Sequence, residues 1–108
     1  MHPLTDAFIK GRAKFKKTTH EYFGSKGKTA CHLAAMYWGV YNTTAYVPDK
    51  LDEDFPELRK MISMPCDDLS EKEGWIKSIL IHLNEDHDGR SGWTDKNVAD
   101  WLEKSLTQ

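Results

Sequence analysis

The sequence predicts a mainly α-helical fold, a compact bundle of four to five short helices in a single domain over residues 1–108, with room for one small β-hairpin. Three observations predict it. Apolar residues recur at three- and four-residue intervals, which gathers them on one side of a helix. Cap-forming residues, Thr5/Asp6, Asp54, Ser70 and Thr94, stand at the head of those stretches. Glycines or prolines separate them. The 39% of hydrophobic residues, with four tryptophans, offers enough core to offset a charged content of 30%.

The first helix is expected from Leu4 to about Tyr22, opened by Pro3, with Phe8, Arg12, Phe15, Thr19 and Tyr22 on one side and Lys10, Lys14, Lys17 and Glu21 opposite. Gly24-Ser25-Lys26-Gly27-Lys28 breaks it, and a short extended pair is expected on either side of that turn. Thr29 to Tyr41 is apolar almost all round, the pattern of a central helix. Asn42 to Pro48 reads as a connector. Asp54, Phe55 and Pro56 open a helix that would bury Leu58, Met61 and Ile62 and stop before Pro65. Ser70-Glu71-Lys72-Glu73 has the form of a capping box, and the helix it opens carries Trp75, Ile76, Ile79, Leu80 and Leu83 on one stripe. Thr94 caps a last helix with Val98, Trp101, Leu102 and Leu106 facing inward. The expected core is Phe8, Phe15, Leu33, Tyr37, Trp38, Trp75, Ile79, Leu83, Trp101 and Leu102, with tryptophans at its centre.

Charge is distributed unevenly. Residues 1–28 hold seven Lys/Arg against two acids and the remainder eight against fifteen, so a slightly acidic chain has a basic beginning. Opposite charges on one small domain mostly serve solubility. No run of about 18 apolar residues and no basic-then-apolar leader occurs, so a cytoplasmic chain without a membrane span is expected, with Cys31 and Cys66 reduced.

Several groupings have the residue types that chemistry would need. Asn84 to Asp95, flanked by helices, places oxygen donors at Asn84, Asp86 and Asp88, a glycine at the sixth position and Asp95 at the twelfth, as an EF-hand calcium loop does. Its first residue is Asn where Asp is usual, and Asp95 is shorter than the bidentate Glu; a polar turn ahead of the Thr94 cap is the plainer reading. Zinc would use Cys66, His82 and His87, with Cys31 or His32 as a fourth ligand, since thiolate and imidazole suit that ion. Gly24 to Thr29 ahead of a helix is an imperfect phosphate loop: Tyr22 stands where the first glycine belongs. Incidental anion affinity is expected there at Lys26, Lys28 and Thr29, and nucleotide hydrolysis is not. Trp93-Thr94 with Val98-Ala99 has the look of a first helix in a helix-turn-helix, but no recognition helix follows, so DNA reading is not expected. Cys31 and His32 are sequence neighbours, about 100° apart on a helix, and do not face each other as a nucleophile and base must.

The residues Ile81-His82-Leu83-Asn84-Glu85, His87, Trp93-Thr94 and Val98-Ala99-Asp100-Trp101 resemble those of a group of small uncharacterised bacterial and phage proteins with the pattern I-x-H-L-N-D/E-x-H, then W-S/T, then I/V-A-x-W. Ala30 to Ala35 matches a further stretch of the group loosely, so about half the chain is covered. The resemblance implies a bacterial or phage origin and no particular activity. Members that carry Cys-Pro-x-Cys ahead of the two histidines imply zinc; here Ser63-Met64-Pro65-Cys66 is one cysteine short, and 88–92 looks inserted.

With many aromatics and no assembled catalytic set, the expected function is that of a small non-enzymatic accessory or protein-interaction domain without a cofactor, meeting a protein partner or its own copies. Trp38, Tyr41 and Tyr46, exposed together, would mark the partner surface. The alternative is a metal-binding module for calcium or zinc.

Overall fold

The computed structural model describes residues 1–18, 21–24, 26–65, 72–86 and 93–108, with no side-chain detail at 85 and 86. The chain is mainly α-helical. Helix α1 spans Pro3–Lys14, opened by proline in its first turn and by the His2 ring, which accepts from the Leu4 amide. It ends about two turns earlier than the expected Tyr22, because Phe15 turns extended and Lys16–Lys17 become strand β1. Strand β2, Thr29–Ala30, pairs with β1 in parallel, Lys16 opposite Thr29. The extended pair expected on either side of the 24–28 turn is present as a single antiparallel bridge, Phe23 to Ala30, with Gly24 donating to the Thr29 carbonyl and Cys31 to that of Tyr22, while the parallel pairing of Ala30 with β1 on its other side is not predicted by the sequence.

Helix α2, His32–Tyr41, is the buried central helix that its composition predicts, with every residue from His32 to Tyr37 inside. Cys31 caps it: its sulfur accepts from the Ala34 amide at 3.4 Å. Asn42 ends it in the left-handed region, φ 56°, as a short polar residue can. Helices α1 and α2 cross at unusually close range, Gly11 against the Ala35 backbone and Gly39 against that of Ala7. Ala7 and Gly11, like Ala35 and Gly39, are four residues apart, so each helix offers one smooth strip of backbone to the other.

The long helix expected from Asp54 to Ile62 does not form. Helix α3, Lys50–Asp54, precedes it, Pro56–Arg59 makes one 3-10 turn, and the chain then extends as β3, Met61–Ser63. The expected capping box is overturned likewise, since Glu73–Trp75 form strand β4 and helix α4 begins only at Ile76, running to Asp86; Ser70 lies outside the described residues. Strands β3 and β4 form an antiparallel hairpin, Ile62 opposite Gly74. Gly74 costs about 1 kcal/mol in a helix relative to alanine, and the stripe Ile76, Ile79, Leu80, Leu83 is complete without Trp75, so pairing wins. Helix α5, Asp95–Thr107, starts as expected at Thr94, whose hydroxyl accepts from the Asn97 amide.

These helices pack on one hydrophobic core. Its fully buried members include Phe8, Leu33, Met36, Tyr37, Leu51, Leu58, Leu80 and Leu102, and no tryptophan is among the fully buried side chains of the described residues. Trp38 and Trp101 only flank it and Trp75 lies at the surface, which corrects the expected tryptophan centre. No helix among the described residues is long and apolar enough to cross a membrane.

Candidate interaction surface

The hairpin shows its outer face to solvent. In the register Met61 opposite Trp75, the side chains of these two stand next to each other on one face, while Ile62 and Gly74 face the other way, with Gly74 above Ile79. Trp75 is 43% exposed and Met61 52%. Arg59, at the end of the 3-10 turn, lays its guanidinium 5.2 Å over the indole of Trp75. That guanidinium is held from behind: its Nε donates to the Asp52 carboxylate at 2.6 Å, and Lys77 donates to the other Asp52 oxygen at 2.9 Å. Asp52 itself is only 3% exposed. Burial raises its pKa, but the hydrogen bonds from Lys77 and Arg59 together hold it below the usual carboxylate range. A buried carboxylate on α3 thus fixes the cation that braces an exposed aromatic on β4.

Beside the hairpin runs a groove of about 390 Å³, walled on one side by β3 and Pro65 and on the other by Trp101, Lys104 and Ser105 of α5. A second cleft, about 270 Å³, lies between Phe8, Ile9 and Arg12 of α1 and Asp95, Lys96, Ala99 and Asp100 of α5. Its rim carries both signs of charge, and Lys96 and Asp100 pair with each other at 2.9 Å.

The residues expected to bind ions sit elsewhere and do other work. Asn84, expected as the first calcium ligand, is buried in α4; its Oδ1 accepts from the His32 amide at 2.9 Å and its Nδ2 donates to the Thr18 carbonyl at 2.9 Å. Since α4 continues through Asp86, the first two ligand positions are helical and about 200° apart round the axis, not on one wrapping loop. Asp95 is the first residue of α5, and Asp88 lies outside the described residues. Of the zinc ligands, His82 is half-buried on α4, while Cys66 and His87 lie outside the described residues. Among the described residues no three His, Cys, Asp or Glu side chains converge as a metal site requires.

Lys26 and Lys28 are exposed, but Thr29 belongs to β2 and its carbonyl accepts from Gly24. The helix that follows starts three residues later, with Asn84 on the His32 amide and Cys31 on that of Ala34. His32 is buried beside Arg12, whose Nη1 lies 3.4 Å from Nδ1; a guanidinium only donates, so Nδ1 accepts and the proton sits on Nε2. Burial first, then the charges of Arg12 and Lys17, drive its pKa down to about 3. Because the folded value lies below the unfolded one near 6.5, this ring's contribution is complete above pH 6.5 and is lost as pH falls toward 3. The wild type is expected to lose about 2 kcal/mol of stability between pH 7 and pH 5 that His32→Gln does not lose. Urea melts of both at the two pH values measure it.

Tyr41 and Tyr46, which would have marked a partner surface if exposed together, instead pack in a row of ring contacts in which Tyr22 and Tyr46 are stacked and the other two pairs are tilted. Tyr22 and Tyr46 lie 4.0 Å apart, Tyr46 and Tyr37 4.8 Å, and Tyr37 and Tyr41 4.6 Å, each half-buried or better except Tyr22. Trp38 packs its edge on Phe15. The exposed aromatic and thioether pair is the one at Trp75 and Met61, which sequence reasoning missed by assigning both to helices; Gly74 just ahead of Trp75 was the one signal against it.

Compared with protein-family models, with curated proteins and with solved structures, the chain matches none.

Proposed function

We propose that the chain is a small non-enzymatic accessory domain of bacterial or phage type that docks onto a protein partner through the outer face of the β3–β4 hairpin. The observation that carries this reading is the exposure of Trp75 beside Met61 under a pinned Arg59. Trp, Met and Arg are the residue types enriched at the centres of protein interfaces. With nearly half of its area open, Trp75 leaves on the order of 100 Å² of aromatic surface in water, worth about 2.5 kcal/mol when covered. The guanidinium above it is already ordered, so docking spends little further conformational entropy there.

The test is affinity capture from the native host, reconstitution with the captured protein, and titration of single variants. Trp75→Ser is expected to leave the melting temperature essentially unchanged and to weaken binding about 30-fold, the loss typical of a hot-spot aromatic. A wild-type chain that captures nothing and stays monomeric by light scattering, or a Trp75→Ser chain that binds as tightly as wild type, overturns it.

A further inference from the structure

Resting on that reading of the hairpin, we propose that the partner's docking segment is an extended, acidic and apolar strand that adds to the edge of β3 away from β4, which pairs with no other strand among the described residues, in the groove between β3 and α5. The register decides which main-chain groups face that groove. Ile76 donates to the Lys60 carbonyl and Met64 to that of Lys72, so residues 60, 62 and 64 spend their hydrogen bonds on β4. The N–H and C=O groups of Met61 and Ser63 consequently point sideways, away from β4 and toward the groove that β3 lines. A strand edge of this kind is a template for another strand.

The walls of the groove select the chemistry of the guest. Trp101 from α5 and Met61 from β3 offer apolar contact, while Lys60 and Lys104 are the charged side chains of the lining and no Asp or Glu is among them. That is the reverse of a chain in which Asp and Glu outnumber Lys and Arg. A segment with carboxylates among apolar residues is matched to such a wall, and a basic one is repelled. Lys60 donates its Nζ to a terminal oxygen of Gln108 at 2.9 Å, so the exposed Lys104 is the cation offered to the guest.

The experiment is selection of a displayed library of random dodecapeptides on the full chain, then titration of the enriched peptides. Enriched sequences are expected to mix Asp or Glu with Val, Ile or Leu. Ser63→Pro removes an outward N–H while leaving the β3–β4 bonds intact, and Lys104→Glu reverses the charge of the wall. Each is expected to weaken binding about tenfold or more. N-methylation of the peptide's central amides is expected to do the same on the unaltered protein, so the result does not depend on either variant folding. Failure to enrich, enrichment of basic or helix-periodic peptides, or indifference to both Lys104→Glu and N-methylation would overturn strand addition. If Trp75→Ser still abolishes binding of the captured partner in those cases, the docking face stands and only its strand-like occupant falls. A wild-type mass doubled in solution and restored to monomer by Ser63→Pro would make a second copy the occupant and likewise overturn the acidic guest.

Discussion

Gly11→Ala is expected to unfold the chain or to destabilise it by at least about 3 kcal/mol, the upper range for overpacking, because the added methyl meets backbone and not a side chain that can swing away. A Cβ on Gly11 would fall well under 3.0 Å from the Ala35 carbonyl, and one on Gly39 equally close to that of Ala7. Neither helix can yield separately, since each contributes one glycine to the same crossing; pushing α1 outward also disturbs the buried Leu4 and Phe8. Gly27 makes the control. It has φ 64° but nothing within 4 Å of an added methyl, so Gly27→Asn, a residue that tolerates that conformation, should change stability by less than about 1 kcal/mol. Thermal melts of Gly11→Ala, Gly39→Ala and Gly27→Asn decide it, and a Gly11→Ala protein that melts within a few degrees of wild type would show that the two helices are not so close.

Asp52→Asn should cost about 3 kcal/mol at neutral pH, toward the lower end of what removing one partner of a buried ion pair does, because Arg59 and Lys77 keep some access to water with which to rehydrate. The carboxylate also ties α3 to the start of α4, so its loss frees both elements at once. The folded pKa of Asp52 is depressed, which means its contribution is fully present above the unfolded value near 3.9 and disappears as pH falls through the folded one. Wild type and Asp52→Asn should therefore differ most at neutral pH and converge in acid, as pH falls through the depressed folded value. Denaturant melts across that range measure the difference, and a constant gap at all pH values would count against the ion cluster. The same variant releases Arg59 from behind Trp75, so it should also raise the mobility of the indole, readable as a lower steady-state fluorescence anisotropy.

Much of the architecture was legible because its cause is local. Pro3 ahead of α1, the apolar run of α2 and the Thr94 cap of α5 each act within one or two helical turns, and each marks a helix that forms, although α1 ends early and α2 begins only at His32, after Thr29–Ala30 has paired as a strand. The Ala-x-x-x-Gly spacing of residues 7–11 and 35–39 was equally visible, yet its meaning needs two helices to be seen together. The candidate surface was not legible. Residues 54–62 and 70–75 carry real helix signals: proline near a start, an acidic cap, an apolar residue every third or fourth position. The parts of both stretches that form β3 and β4 nonetheless leave the helical state, because the two strands satisfy their main-chain groups on one another across about ten intervening residues.

The polar residues follow the same division. Asn84 and His32 read as candidate ligands when only neighbours in sequence are considered, and nothing adjacent to Asp52 singles it out. Packing turns each inward, where a buried polar group must find partners, and those partners, Thr18 and His32 for Asn84, Arg59 and Lys77 for Asp52, Arg12 for His32, come from other elements. Sequence by itself thus determined the order of the principal helices and the apolar stripes they bury, since propensity, capping and periodicity are properties of a few adjacent residues. Only the tertiary structure decided which of two satisfiable backbone states residues 61–63 and 73–75 took, which polar groups were sealed in, and that Trp75 was left facing water, because those outcomes turn on free energies shared between residues far apart in the chain.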